Sequence, residues 1–198
     1  MTLPLPVAFN PELRADRLAV VAQWLLEELY ATEEDLSRDS DDGYTRGCAI
    51  FGRQKNRVKI QALSGKHDWL SLLNGGNDLV FTIGGVPCRF CNDDPDNPTK
   101  DAVITTNRYQ LPFFEFVEAG EPGKFCFIID RGLNNLEDPC VEFLGFSPSG
   151  EIVCRWASDT VRIMRDANAG LALPAPIAKP VVTPKQDEDG NAATKAGA

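Results

Sequence analysis

Hydrophobic positions along the first third of the chain recur with helical spacing. Leu18, Val21, Ala22, Leu25 and Leu29 form one stripe, widened by Trp24 and Leu26, while Asp16, Gln23, Glu27 and Tyr30 occupy the other side. Asn10-Pro11 reads as the start of this helix, with Asn as N-cap and Pro at a position that loses no hydrogen bond. Two weak turns follow in residues 32–40, and the Asp-rich stretch ending at Gly43 reads as a loop.

From Tyr44 onward the period reads as two. Residues 46–51 and 57–63 are expected to be strands joined through residues 52–56, and residues 67–73 one helical turn ended by Asn74-Gly75-Gly76-Asn77. The Gly84-Gly85 pair between residues 78–83 and 86–91 predicts a two-residue hairpin, because glycine tolerates the positive φ such turns require. Pairing Ile83 with Val86 sets Phe81 opposite Cys88 and Leu79 opposite Phe90, so all six share one face. Pro87 lacks an N–H, which predicts an edge position there.

Residues 92–101 form a polar loop, and residues 102–106 a short strand. Residues 113–117 and 124–130 make a third expected hairpin, apolar on both faces and therefore central. Residues 140–146 and 151–157 make a fourth, around Ser147-Pro148-Ser149-Gly150. It puts Val141, Phe143, Ile152, Cys154 and Trp156 on one face and Glu142 opposite Arg155 on the other. Residues 159–166 read as a closing element. The expected architecture is α+β: one long N-terminal helix on an antiparallel, largely meandering sheet of seven or eight strands.

Beyond Ala167 the periodicity stops. The chain divides into an extended arm (1–10), a single α+β domain (11–166) and a disordered Pro/Ala-rich acidic tail (167–198), in which residues 173–184 are a candidate partner-binding peptide. The sequence contains no run of about 18 apolar residues and no secretory leader pattern. Cytoplasmic residence follows as the expectation, with the six cysteines read as reduced core residues rather than disulfides.

The net charge of −9 disfavours nucleic acid as a general partner. Its distribution matters more. Acids crowd between Glu27 and Asp42, and Arg46, Arg53, Lys55, Arg57, Lys59 and Lys66 follow with no acid among them. Two solvated faces attracting each other across the fold is the first explanation. A basic strip of Arg46, Arg53, Lys55, Arg57 and Lys59 that docks an anionic partner is the sharper one, and the only route by which nucleic acid would enter.

Catalytic signatures are sparse. The single histidine, His67, has no marked nucleophile beside it and reads as a surface residue. Neither phosphate-binding glycine motif occurs, and Cys88-Arg-Phe-Cys91 is one C-x-x-C without a second, with its cysteines on opposite strand faces, so no zinc site is assigned. The Asp-rich loop 93–101 lacks calcium-site order. The function expected is that of a non-enzymatic binding or regulatory accessory protein, with no cofactor, that contacts another macromolecule, most simply a protein. The alternative is a divalent-metal hydrolase or nuclease using strand-borne Asp78, Asp130 and Glu142.

Overall fold

The computed structural model describes residues 3–106, 108–110, 120–132 and 138–158. The chain divides into two units, Met1–Val161 and Arg162–Ala198, and the described residues lie in the first. The expected strand at 113–117, the closing element at 159–166 and the tail with its candidate peptide all lie outside the described residues.

Helix α1 (Ala15–Asp35) buries the stripe expected of it: Leu18, Val21, Ala22, Trp24, Leu25 and Leu29. It begins five residues later than Asn10. The Asn10 side chain accepts from the Glu12 N–H at 3.0 Å, making a local turn in place of a cap. At its far end the helix continues to Asp35, absorbing part of the expected weak turns.

The largest departure follows. Residues 43–63 are not a hairpin but a second helix, α2 (Gly43–Leu63). Asp42 caps it, its Oδ1 accepting from the Thr45 N–H at 2.7 Å. Ile50, Gln54 and Val58 are its buried row at i, i+4 and i+8. Gly43, Gly47 and Gly52 dilute the helical signal, and packing against α1 and the sheet overrides it.

Among the described residues six strands form one sheet in sequence order: β1 (Leu70–Asn74), β2 (Val80–Ile83), β3 (Val86–Asn92), β4 (Lys124–Asp130), β5 (Cys140–Phe146) and β6 (Ile152–Ala157). Strand β1 stands where a helical turn was expected. The short helix α3 (Asp101–Ile104) replaces the strand expected at 102–106. The Gly84-Gly85 hairpin has the expected register, Ile83 with Val86 and Phe81 with Cys88, with both glycines at positive φ (56° and 85°).

The sheet is mixed rather than a pure meander, because β3 and β4 run parallel, from Cys88 beside Phe125 to Asn92 beside Ile129. A parallel neighbour requires a long crossover, which residues 93–123 supply. Strand β4 lies between β3 and β5. Strand β3 is internal despite Pro87. The pair Thr82–Pro87 lies next to the turn, where ladder alternation points the Pro87 nitrogen away from β2, and the β4 ladder begins only at Cys88.

One face of the sheet packs against α1 and α2. Phe81, Phe125, Phe127 and Phe143 build its centre, with Phe127 and Phe143 at 4.5 Å between ring centroids. The opposite face holds Cys91, Cys126, Ile128, Leu144 and Phe146 around Val103 of α3. The β5–β6 register slips between Gly145 and Phe146, so Val141, Phe143, Cys154 and Trp156 share the helix-covered core as expected, whereas Ile152 joins the opposite cluster. Glu142 faces Ala157, yet the diagonal neighbour Arg155 still reaches it, at 2.5 Å from Nε to Oε2. No helix among the described residues is long and apolar enough to cross a membrane.

Candidate functional site

The acidic and basic runs of the sequence meet along the α1–α2 contact. Arg53 pairs with Asp35 at 2.6 Å, and Arg57 lies 3.2 Å from Glu27 and 3.9 Å from Glu28. These pairs are partly solvated, so each contributes modestly and weakens with salt. They fix the register of two adjacent helices and use the two arginines at the centre of the predicted strip.

Helical periodicity turns the remaining cations away from α1. Lys55 donates to Asn77 Oδ1 at 3.0 Å, in the turn after β1. The Lys59 side chain lies over the same turn: a Cβ built on Gly75 would stand 3.3 Å from its Cε. Arg46, near the start of α2, is half-buried and carries no ion pair among the described residues. The strip therefore splits: Arg53 and Arg57 face α1, and Lys55 and Lys59 flank β1.

Strand β1 is one edge of the sheet. Ser71 opposes Thr82, and Leu70 opposes Ile83. Ile83 closes the hairpin with Val86, so its backbone groups point toward β3 and Thr82 points its own toward β1. By the same alternation Ser71 pairs with Thr82, and Leu70 and Leu72 turn their N–H and C=O groups outward. The Leu70 N–H bonds His67 O at 3.1 Å. That leaves the Leu70 carbonyl and both backbone groups of Leu72 without a strand partner among the described residues. Leu73 beside them is 42% exposed. The opposite edge is covered, because the Arg155 N–H of β6 donates to Pro4 O at 3.1 Å.

The candidate metal ligands are placed apart from this edge. Asp78, just before β2, forms an ion pair with the buried Arg89. Glu142 on β5 is held by Arg155. Asp130 ends β4 and accepts from the Gly132 N–H at 2.9 Å. Among the described residues no three His, Cys, Asp or Glu side chains gather as a metal site. Cys88 lies in the helix-side core and Cys91 in the opposite one, on the two faces expected of residues three apart on a strand. Burial pushes the thiols of Cys88, Cys126 and Cys154 up, which suits inert core residues. His67 is half-buried, with its ring 5.2 Å from that of Trp24 and 5.1 Å from that of Trp69.

The sequence reading missed the open edge itself. The apolar Leu70-Ser-Leu-Leu run is a usable signal for a strand, in place of the helical turn expected at 67–73. No protein-family model matches this chain, and no curated protein or solved structure is significantly similar to it.

Proposed function

We propose that this protein is a non-enzymatic binding module that takes up an extended, acidic segment of a partner protein as an added strand along the outer side of β1. The observation that carries this reading is the backbone of Leu72, unpaired among the described residues, at an uncharged, proline-free edge. Sheet edges of this kind template another strand unless they are blocked. Main-chain hydrogen bonds would supply affinity, and alternate side chains of the incoming strand would meet exposed Leu73. Lys55 and Lys59 make the surroundings positive, which favours acids in the partner and steers encounter. The two arginines engaged by α1 keep a structural role in this reading. Cys48, Cys88, Cys91, Cys126 and Cys154 form no disulfide among the described residues, which supports residence in a reducing compartment such as the cytoplasm.

The test is fluorescence polarisation with a labelled peptide alternating Val and Glu, and a matched peptide alternating Val and Lys as control. The acidic peptide should bind and the basic one should not. Lys55→Glu with Lys59→Glu should reverse that preference. Leu72→Pro removes the outward N–H while leaving the ladder to β2 intact, and should abolish binding of either peptide. If the acidic peptide binds equally well to all variants, or does not bind the parent protein, the edge is not the binding surface.

A further inference from the structure

A cleft of about 760 Å³ opens at the end of the sheet where β3 and β4 finish. These two strands are the parallel pair, and ligands of open sheets with parallel strands gather beyond the carboxyl ends of such strands. The volume lies within the range of small-molecule sites. It is walled by Gly47 and Phe51 of α2 on one side and by Lys100, Asp101 and Thr105 around α3 on the other. The wall at α3 is clamped in place. Buried Arg89 donates to the carbonyls of Asp101 (3.2 Å) and Thr105 (3.0 Å) while pairing with Asp78. Three groups fasten the guanidinium and its loop together, so this side of the cleft is preformed.

Two buried polar atoms of residues that line it have no hydrogen-bond partner among the described residues. Asn92, the last residue of β3, donates through Nδ2 to Gln54 Oε1 at 2.8 Å, and its Oδ1 is left over. Arg131, directly after β4, donates to Glu33 Oε1 at 3.3 Å, and its Nε is left over. Buried groups in native proteins are satisfied by protein, water or ligand, so an unused acceptor and an unused donor on one cleft call for a molecule that carries both complements. The carboxylate of Asp101 adds a second acceptor and the ammonium of Lys100 a second cation at the exposed mouth. The rings of Phe51 and Phe90, stacked at 5.3 Å, supply an apolar surface.

We infer that this cleft binds a small zwitterion with an apolar side chain, of the free amino acid or short peptide class. Its carboxylate meets Arg131 and Lys100, its ammonium meets Asn92 Oδ1 and Asp101, and its side chain lies against Phe51. Cation–carboxylate contacts of this type are the strong hydrogen bonds of a small-ligand site, and their pairing at both ends is what would select a zwitterion over a plain anion. The site is separate from the β1 edge and does not depend on it.

The experiment titrates the full chain with leucine, methionine and phenylalanine, followed by amide chemical shifts and calorimetry. Saturable binding with a Kd of about 1 mM or tighter is expected for at least one of them. Leucinamide lacks the carboxylate and N-acetylleucine lacks the ammonium; each should bind about tenfold or more weakly than leucine. Arg131→Met should weaken leucine to the level of leucinamide. Absence of saturable binding by any of the three amino acids overturns the inference. So does equal binding of leucine, leucinamide and N-acetylleucine, and this comparison on the parent protein decides the matter even if Arg131→Met does not fold.

Discussion

Gln54 is fully buried in the middle of α2, where an unpaired amide would be costly, and both ends of its side chain are engaged. Nε2 donates to the Leu25 carbonyl of α1 at 3.0 Å, and Oε1 accepts from Asn92 Nδ2 of β3 at 2.8 Å. One side chain thus ties two helices to the sheet. Gln54→Met keeps the volume and deletes both bonds. The Leu25 carbonyl stays in the α1 ladder, so losing the first bond costs about 1 kcal/mol. Stranding the Asn92 amide costs about 1–3 kcal/mol, toward the lower end because Asn92 borders the open cleft. The expected loss is about 2–3 kcal/mol, read as a lower urea midpoint at unchanged slope. Adding Asn92→Leu removes the stranded partner, so the double variant should regain part of the loss, with a coupling of about 1 kcal/mol or more. If Gln54→Met matches the parent in stability, or the two losses simply add, the bridge between α1, α2 and β3 does not carry the energy assigned to it.

Two further outcomes follow from local geometry. Gly52 lies inside α2 with nothing within 4 Å of a built Cβ, so Gly52→Ala should raise stability by about 0.5–1 kcal/mol in the same unfolding assay. Asp93 is only slightly buried. Burial alone would raise its pKa, but the N–H groups of Thr99 and Lys100, at 2.6 and 2.9 Å, and the charge of Lys100 outweigh it and hold the carboxyl below its ordinary value. Its contribution is therefore fully present above the ordinary carboxyl pKa and is lost as pH falls through the lower folded value. Asp93→Asn should narrow its stability deficit to the parent as the pH of the unfolding series is lowered below about 4.

What could be read from the sequence was whatever one face of one short segment decides. The Phe81–Cys88 pairing is set by period two and by two glycines in the turn, and α1 by an uninterrupted apolar stripe. Residues 43–63 failed because the buried row of α2 contains a glutamine, Gln54, in place of an apolar residue, and three glycines interrupt it. No segment on its own could announce a helix whose polar centre is satisfied by Leu25 and Asn92 from other elements. The β3–β4 pairing is hidden for a related reason, since partners separated by residues 93–123 share no local pattern. The opposed charge runs were legible as mutual neighbours. Which cations would be left over was not, because Arg53 and Lys55 are two positions apart and diverge only once the helix exists. The open edge depends on strand order, and the cleft on atoms left unsatisfied after packing.

The crossover between β3 and β4 also sets the order of events during synthesis. Everything through Asn92 leaves the ribosome with some neighbours already in hand: α1 beside α2, and β1 through β3 as consecutive hairpins. The side of β3 that will receive β4 stays bare until residues 124–130 have emerged, and long-range pairings of this kind are the slow ones. A nascent chain halted within residues 93–123 would thus display the backbone of Cys88 to Asn92 to its surroundings, and early termination there would yield a species prone to self-association rather than a functional half.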